Sequence, residues 1–429
     1  MILKTLHITN SWHPTSGGIS TFYRELLAAA NRKGWPLRLI VPDSHDGVEE
    51  AGPFGRIYHV RGVRAPFNPN YRLILPGRYL FPRAALRGII AAEQPDLVEI
   101  CDKYCFNYLG ALLRRVWLPR VRFRPTVVGL SCERMDENVM AYLTRDETAL
   151  RLARFYMRHL YFPMFDHHIA NSDHTAAELR TASRFHDVPR GVWVCPMGVD
   201  CAGLGPEHRS AGARDALLAQ AGGRPDSILL FYAGRLVREK YPGLLIDVME
   251  RLAACEGRDF RLLIAGSGAL LEELRESAER RAPGRVHFLG HVGDRARLAS
   301  LYANCDVFVH PNPREPFGIA PLEAMASGLP LVAPHAGGVL TYANAANAWL
   351  APAEAPAFAA AIQDAAGDPD RGKKIRNARA TAEGYRWENV TAQFLRLYAD
   401  LHAFRTGRKG QPELAPRFYS LRRPVGAGD

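Results

Sequence analysis

The chain has no long hydrophobic run. Across its 429 residues the longest apolar stretches fall well short of the ~18–20 needed to cross a bilayer, which argues against an integral membrane protein. The opening MILKTLHITNSW has neither an extended apolar region nor a small-residue cleavage site, so it is expected to be a first strand rather than a leader. Cysteine is sparse and unpaired in pattern: seven residues, an odd number, with Cys101 and Cys105 the closest two. That spacing argues against both a disulfide framework and a zinc site, and a reducing cytoplasm is the expected compartment. No segment repeats with a period of 20–50 residues, which excludes solenoids and propellers. Nucleic-acid-binding motifs are also absent, so nucleic acid is not expected as a partner.

What is present is a large apolar fraction, 47%, enough for sizeable cores; at this length two domains are the natural expectation. The net charge is +11 and unevenly spread. Residues 56–90 hold seven arginines and no acid, and residues 103–132 hold six basic residues and no acid, interleaved with Tyr104, Phe106, Tyr108, Trp117 and Phe123. A solvated basic face would explain this. So would a surface that meets anionic lipid or an anionic acceptor.

Short apolar runs alternate with helical patterns. Leu3–Thr9, Leu37–Val41, Leu97–Ile100, Thr126–Leu130, His168–Ala170 and Val192–Cys195 read as strands, with helices at Ser20–Arg32, Phe106–Val116 and Ala149–Leu160 between them. Residues 201–226, rich in Gly, Ala and charge, read as a connection. A second set follows, with strands at Ile228–Ala233, Arg261–Ala265, Val286–Leu289, Val307–His310, Leu331–Ala333 and Trp349–Ala351. The rhythm predicts βαβ units in parallel, doubly wound sheets, whose ligands sit beyond the carboxyl ends of the strands.

One segment is more specific than the rest: Glu315-Pro-Phe317-Gly318-Ile319-Ala-Pro321-Leu-Glu323, running on to Gly328. Seven residues separate its two carboxylates, and a Pro/Gly turn leads into a helix. Pro321 suits the first helical position, Gly328 a helix stop, and Glu323 the first turn near the positive end of the dipole. Such a place can hold phosphate on backbone amides and sugar hydroxyls on carboxylates.

The segment resembles the E-x7-E signature of the retaining glycosyltransferases of family 4. Gly17-Gly18, Gly198-Val199-Asp200, Gly234-Arg235 with Lys240, and Gly266-Ser267-Gly268 fall in the family's order, and the resemblance covers residues 1–403. It implies an α/β GT-B architecture, two Rossmann-like domains facing across a cleft. The domains expected are 1–200 for the acceptor and 201–384 for the nucleotide sugar, with a helix over 385–405 returning to the first and a basic tail over 406–429. It further implies a hexosyltransferase that needs no metal and no cofactor beyond a nucleotide-sugar co-substrate. The only Asp-x-Asp triplet, Asp368-Pro369-Asp370, reads as a turn. The acceptor is expected to be a lipid or lipid-linked glycan at the inner face of a membrane, or a soluble or polysaccharide one. A sugar phosphorylase, a nucleotide-sugar epimerase and a non-catalytic binding protein are the rivals.

By the same resemblance Arg235 and Lys240 would hold the diphosphate, Glu315 the transferred sugar, and Glu323 the ribose. Backbone N–H groups at Phe317, Gly318 and Ile319, with the Gly17, Gly18 and Gly266 turns, would approach phosphate or sugar. His291-Val292 would lie beside the base. Family members often place a His after the strand Thr126–Leu130; here Cys132 occupies that place. Glu133, Arg134, Asp136 and His13 are the remaining candidates for acceptor or sugar contacts, and a salt-bridged turn is the alternative for the 133–136 run.

Overall fold

The computed structural model describes residues 3–12, 17–65, 68–142, 146–184, 191–255 and 257–408. The chain divides into two units. One comprises Met1–Gly198 and the segment that begins at Trp387; the other comprises Val199–Arg386.

In the first unit the strands are β1 (Thr5–Thr9), β2 (Leu37–Asp43), β3 (Gly47–Glu50), β4 (Gly55–Arg61), β5 (Val63–Ala65), β6 (Asn68–Leu73), β7 (Leu97–Cys101), β8 (Thr126–Ser131), β9 (His167–Ala170) and β10 (Val192–Val194). Eight of them form one sheet in the order β10-β9-β8-β7-β1-β2-β4-β3. All pairs are parallel except β3 with β4. β5 and β6 form a separate hairpin. The central strands are buried throughout, for example LVEIC in β7 and TVVGLS in β8, as expected where helices cover both faces. The helix Trp387–Arg405 returns to this unit, stacking Phe394 on Phe22 of the helix Gly18–Lys33.

That returning helix is also tied in by polar groups. Glu99, in the middle of β7 and wholly buried, accepts from the phenols of Tyr23 (2.8 Å) and Tyr398 and meets His7 Nδ1 at 3.0 Å. His7 Nε2 in turn meets Thr5 Oγ1 at 3.1 Å, and that oxygen accepts from Trp35 Nε1 at 3.2 Å. Thus a carboxyl group that would be costly alone in the core is met from three elements.

The second unit holds β11 (Ile228–Ala233), β12 (Phe260–Ala265), β13 (Val286–Gly290), β14 (Val307–Val309), β15 (Leu331–Pro334) and β16 (Trp349–Ala351), all parallel, in the order β13-β12-β11-β14-β15-β16. The order reverses between β11 and β14, so the loops leaving those two strands open side by side at a topological switch point. Residues 199–226 pack on this unit: Arg379 donates to the carbonyls of Cys201, Leu204 and Ala326, and Arg214 pairs with Asp306 at 2.9 Å.

The apolar strands fall close to where the sequence puts them, while β3 to β6 were not foreseen. GVEE and NPNYRL lack the apolar run of a central strand, and they pair only at a sheet edge or in a hairpin. Among the described residues no helix is long and apolar enough to cross a membrane. Replacing Tyr398 with Phe leaves Glu99 one donor short. It is expected to destabilise the protein by about 1–3 kcal/mol, measured by urea unfolding.

Candidate functional site

The loop after β11 carries Gly234, Arg235, Glu239 and Lys240; the loop after β14 carries His310, Asn312 and Glu315. Across the switch point Lys240 Nζ donates to both oxygens of Glu315, at 2.9 and 2.8 Å. Asn312 Nδ2 adds a bond to Glu315 Oε2 at 3.1 Å, and the Asn312 side-chain oxygen accepts from the Arg314 amide. Both ends of this pair are therefore fixed by short chain segments leaving adjacent strands.

The electrostatics follow from burial and these partners. Burial alone would raise the carboxyl of Glu315; the Lys240 ammonium, His310 and the hydrogen bonds from Lys240 and Asn312 outweigh it and hold the pKa down at about 2. His310 is pulled the other way, chiefly by burial, to about 4. Its Nε2 lies 3.8 Å from Glu315 Oε2 and has no hydrogen-bond partner. At neutral pH Lys240 is thus the cation that faces Glu315, and the imidazole beside it is neutral.

Arg235 pairs with Glu239 at 2.5 Å and stays about half exposed. Its main-chain carbonyl accepts from the Tyr232 phenol at 3.2 Å. That phenol is raised mainly by burial, then by Glu315, with Arg235 acting in the opposite sense, so both candidate groups reach the same buried ring. The glycine turns leave no slack beneath them. A Cβ on Gly266 would lie 1.9 Å from the Gly234 carbonyl oxygen, and one on Gly268 2.3 Å from that of Leu236. The two loops interlock through Leu236 N–H to Ser267 O at 2.9 Å and Gly266 N–H to Gly290 O at 2.8 Å, the residue before His291.

The helix after Glu315 runs Ile319–Ala326 and is capped by Gly318 at φ 88°. This corrects two expectations. Pro321 is the third helical residue rather than the first, and Glu323 lies in the second turn rather than the first. The cause is Gly318: in its left-handed conformation it starts the helix two residues earlier. The missing N–H of Pro321 still costs nothing, because the first turn has no intrahelical acceptors. Gly328 does end the helix, at φ 71°, with Leu329 N–H bonded to Ala324 O at 2.9 Å. Glu323 accepts from the buried Tyr302 phenol at 2.8 Å, and its carboxyl is raised by burial, which that bond opposes. Phe317 is core, packed on Tyr342 and Tyr385. Tyr342 donates to Gly318 O at 2.5 Å, and its phenol is raised first by burial and then by Glu315, with Glu323 a smaller influence.

In the first unit Gly17 is the N-cap of the helix Gly18–Lys33, and a Cβ there would meet nothing within 4 Å. Arg134 forks onto Asp136 at 3.0 and 2.7 Å and donates to His174 O at 2.9 Å. Glu178, paired with the buried Lys103, accepts from the Met135 and Asp136 amides. Glu133 accepts from Asn138 at 2.9 Å. Glu133 and Arg134 thus lie in the loop beyond β8, and Asp136, ion-paired with Arg134, lies in the first turn of the helix Met135–Tyr142. The Cys101 thiol is raised well above its ordinary value, first by the neighbouring Cys132 and then by burial. His13 lies outside the described residues. Asp368 accepts from the Trp349 indole and the Asp370 amide, closing the turn expected there. Among the described residues no group of three or more His, Cys, Asp or Glu side chains could hold a metal ion.

Two family models match this chain: "Glycosyl transferases group 1" over residues 214–382 and "Glycosyltransferase Family 4" over residues 16–202. The chain belongs to glycosyltransferase family 4. A similar relative is the GDP-mannose-dependent alpha-(1-6)-phosphatidylinositol dimannoside mannosyltransferase of Mycobacterium tuberculosis, 29% identical over 92% of this chain and 95% of that one. The D-inositol 3-phosphate glycosyltransferase of Xylanimonas cellulosilytica is 32% identical over 51% of this chain and 53% of its own. Among solved structures, sucrose-phosphate synthase from Thermosynechococcus elongatus superposes with TM-score 0.72 at 24% identity, covering 94% of this chain and 99% of that one. These likenesses give the family 4 enzyme its GT-B fold and its activity as a glycosyltransferase.

Sequence reading missed His310, Asn312, Glu239, Tyr302 and Tyr342. His310-Pro311-Asn312-Pro313, one residue short of Glu315, was the one visible signal. The tyrosines come from distant segments and left none.

The low pKa of Glu315 makes the Lys240–Glu315 pair one pH-dependent contribution to the transferase's stability. The unfolded value of that carboxyl is near 4.5, so the contribution of the Lys240–Glu315 pair is complete above that pH and is lost as pH falls toward about 2. Lys240→Ala is expected to cost about 2 kcal/mol at pH 7. Urea unfolding across the acid range should show the gap between variant and parent closing below pH 4.5.

Proposed function

We propose that the protein is a retaining, metal-independent hexosyltransferase of the cytoplasm, working at the inner face of a membrane. It moves mannose from GDP-mannose to a hydroxyl of an inositol-bearing lipid. The observation that carries the chemistry is the Lys240–Glu315 pair. The donor and acceptor follow the similar Mycobacterium tuberculosis enzyme, a GDP-mannose-dependent alpha-(1-6)-phosphatidylinositol dimannoside mannosyltransferase.

The roles divide by chemistry. Lys240 is a point charge and Arg235 a planar fork, and both suit oxygens of the departing diphosphate. Glu315 has its Oε2 occupied by Lys240 and Asn312, while Oε1 meets Lys240 alone. A carboxylate oxygen has two lone pairs, so Oε1 keeps one for a sugar hydroxyl. Glu323 accepts ribose hydroxyls beside Tyr302. The first-turn amides at Gly318 and Ile319 suit phosphate. Gly17, the N-cap of the helix Gly18–Lys33, would let its backbone approach a ligand closely.

In the step itself the acceptor oxygen bonds to the anomeric carbon on the face from which the diphosphate departs. The bond from that carbon to the diphosphate oxygen breaks, and the acceptor proton passes to the diphosphate. Fixed cations stabilise the charge that develops on the leaving group. A water-soluble inositol phosphate acceptor is the second reading, favoured by relatives named D-inositol 3-phosphate glycosyltransferase.

Acceptor-dependent release of GDP tests the reading, with proton NMR of the product reporting the anomeric configuration. The expected product keeps the α configuration, and turnover is unchanged by chelator. An inverted product or chelator-sensitive turnover would refute those assignments. Lys240→Ala is expected to lose roughly 10²–10³ in kcat by analogy with removal of an oxyanion-hole donor, while still binding GDP by calorimetry.

A further inference from the structure

Between the β5–β6 hairpin and the short helix Gly77–Leu80 the first unit has an open groove of about 370 Å³. Val63, Leu73, Leu75 and Phe81 line it, with Arg61 and Arg83 at its rim. Its apolar side chains are not satisfied by the fold: Phe81 is 68% exposed, Val63 51% and Leu75 41%. Leu80, next to Phe81, is 47% exposed. A phenylalanine that is mostly exposed beside three other exposed apolar groups is a contiguous patch rather than a scattered residue.

The segment that carries the patch is basic, and Asp46 is an acid that meets it, accepting from the Arg78 side chain and from the Arg61 amide at 2.7 Å. Residues 56–90 contain no acid, and Arg61, Arg64 and Arg83 are exposed. Arg78 is the exception, since Asp46 takes it at 2.5 and 2.7 Å. An apolar groove rimmed by arginines complements one environment in particular: the boundary between acyl chains and anionic head groups, where the aromatic ring enters the hydrocarbon and the guanidinium groups stay with phosphate.

We propose that this groove is the surface by which the protein docks on an anionic lipid bilayer. Phe81 and Leu75 insert, and Arg61 and Arg83 bind phosphates. The inference rests on the reading of the acceptor as a lipid, and it adds the part of the chain that meets the lipid surface. Docking there would bring a membrane-held acceptor to the enzyme without a spanning helix.

The test is sedimentation of the full chain with vesicles of phosphatidylcholine alone and of phosphatidylcholine mixed with phosphatidylglycerol, at low and high salt. The parent is expected to bind the mixed vesicles at low salt and to be released by salt. Phe81→Ser with Leu75→Ser should weaken binding about tenfold or more at fixed salt. Arg61→Gln and Arg83→Gln should each weaken it about fivefold and flatten its salt dependence. Trp117→Ser removes an equally exposed aromatic, 64% exposed but outside the groove, and should change nothing. Thermal unfolding verifies that each variant is folded.

The proposal is overturned if the parent binds neither vesicle, or binds both alike regardless of salt. It is also overturned if the Phe81/Leu75 variant binds as the parent does, or if Trp117→Ser is as damaging. A patch that instead pairs two copies of this chain would show in sedimentation velocity as loss of dimer in the Phe81/Leu75 variant with vesicle binding intact; that too overturns it. Transfer by the parent protein to phosphatidylinositol dispersed in detergent is read separately. If it fails while vesicle binding holds, the acceptor reading falls and the docking surface stands; the converse result rejects the groove alone.

Discussion

The ion pair between Lys240 and Glu315 is the constraint on which the rest of the second unit depends. It joins loops that leave β11 and β14, the two strands at which the sheet reverses its order. A parallel sheet delivers loop ends to one edge, and the reversal leaves room between them. The sequence places a flexible ammonium on one side of that gap and a buried carboxylate on the other. The Lys240 side chain is 23% exposed and that of Glu315 10%, so the cation is the more open end of the pair, over an anchored acid.

Around this pair the protein trades polar burial for order. Glu315 is satisfied by Lys240 and Asn312, and Glu323 by Tyr302. Tyr342 locks the Gly318 turn, and Gly338, where a Cβ would fall 1.9 Å from Pro316 O, lets a neighbouring segment close over the same loop. Each carboxyl group is thus held by side-chain partners before any ligand arrives. That is the property that electrostatic catalysis of a leaving group requires. The first unit uses the same device differently: Glu99 sits among two phenols and an imidazole to bind the returning helix to its sheet.

Much of this was legible in the sequence, for physical reasons. Central parallel strands are buried on both faces, so runs such as ILLFYA and FRLLIA announced themselves, and β11 and β16 lie where they were expected. The E-x7-E spacing and the glycine turns located the candidate site because they are local in sequence. What was not legible was long-range or conformational. β3 pairs only at a sheet edge, and β5 and β6 only with each other in a hairpin. The start of the helix at Ile319 depends on the left-handed φ of Gly318, which the sequence allows but does not dictate. Tyr302, Tyr342 and His310 become neighbours of the glutamates only after the sheet is assembled.

A crystal structure of the protein with an intact nucleotide-sugar donor tests the central claim most directly. The account predicts Lys240 Nζ and the Arg235 guanidinium within hydrogen-bond distance of the diphosphate oxygens, Glu315 Oε1 on a hydroxyl of the sugar, and Glu323 on the ribose. A donor bound elsewhere, or one whose diphosphate is held by a divalent ion while Lys240 stays on Glu315 alone, would contradict it.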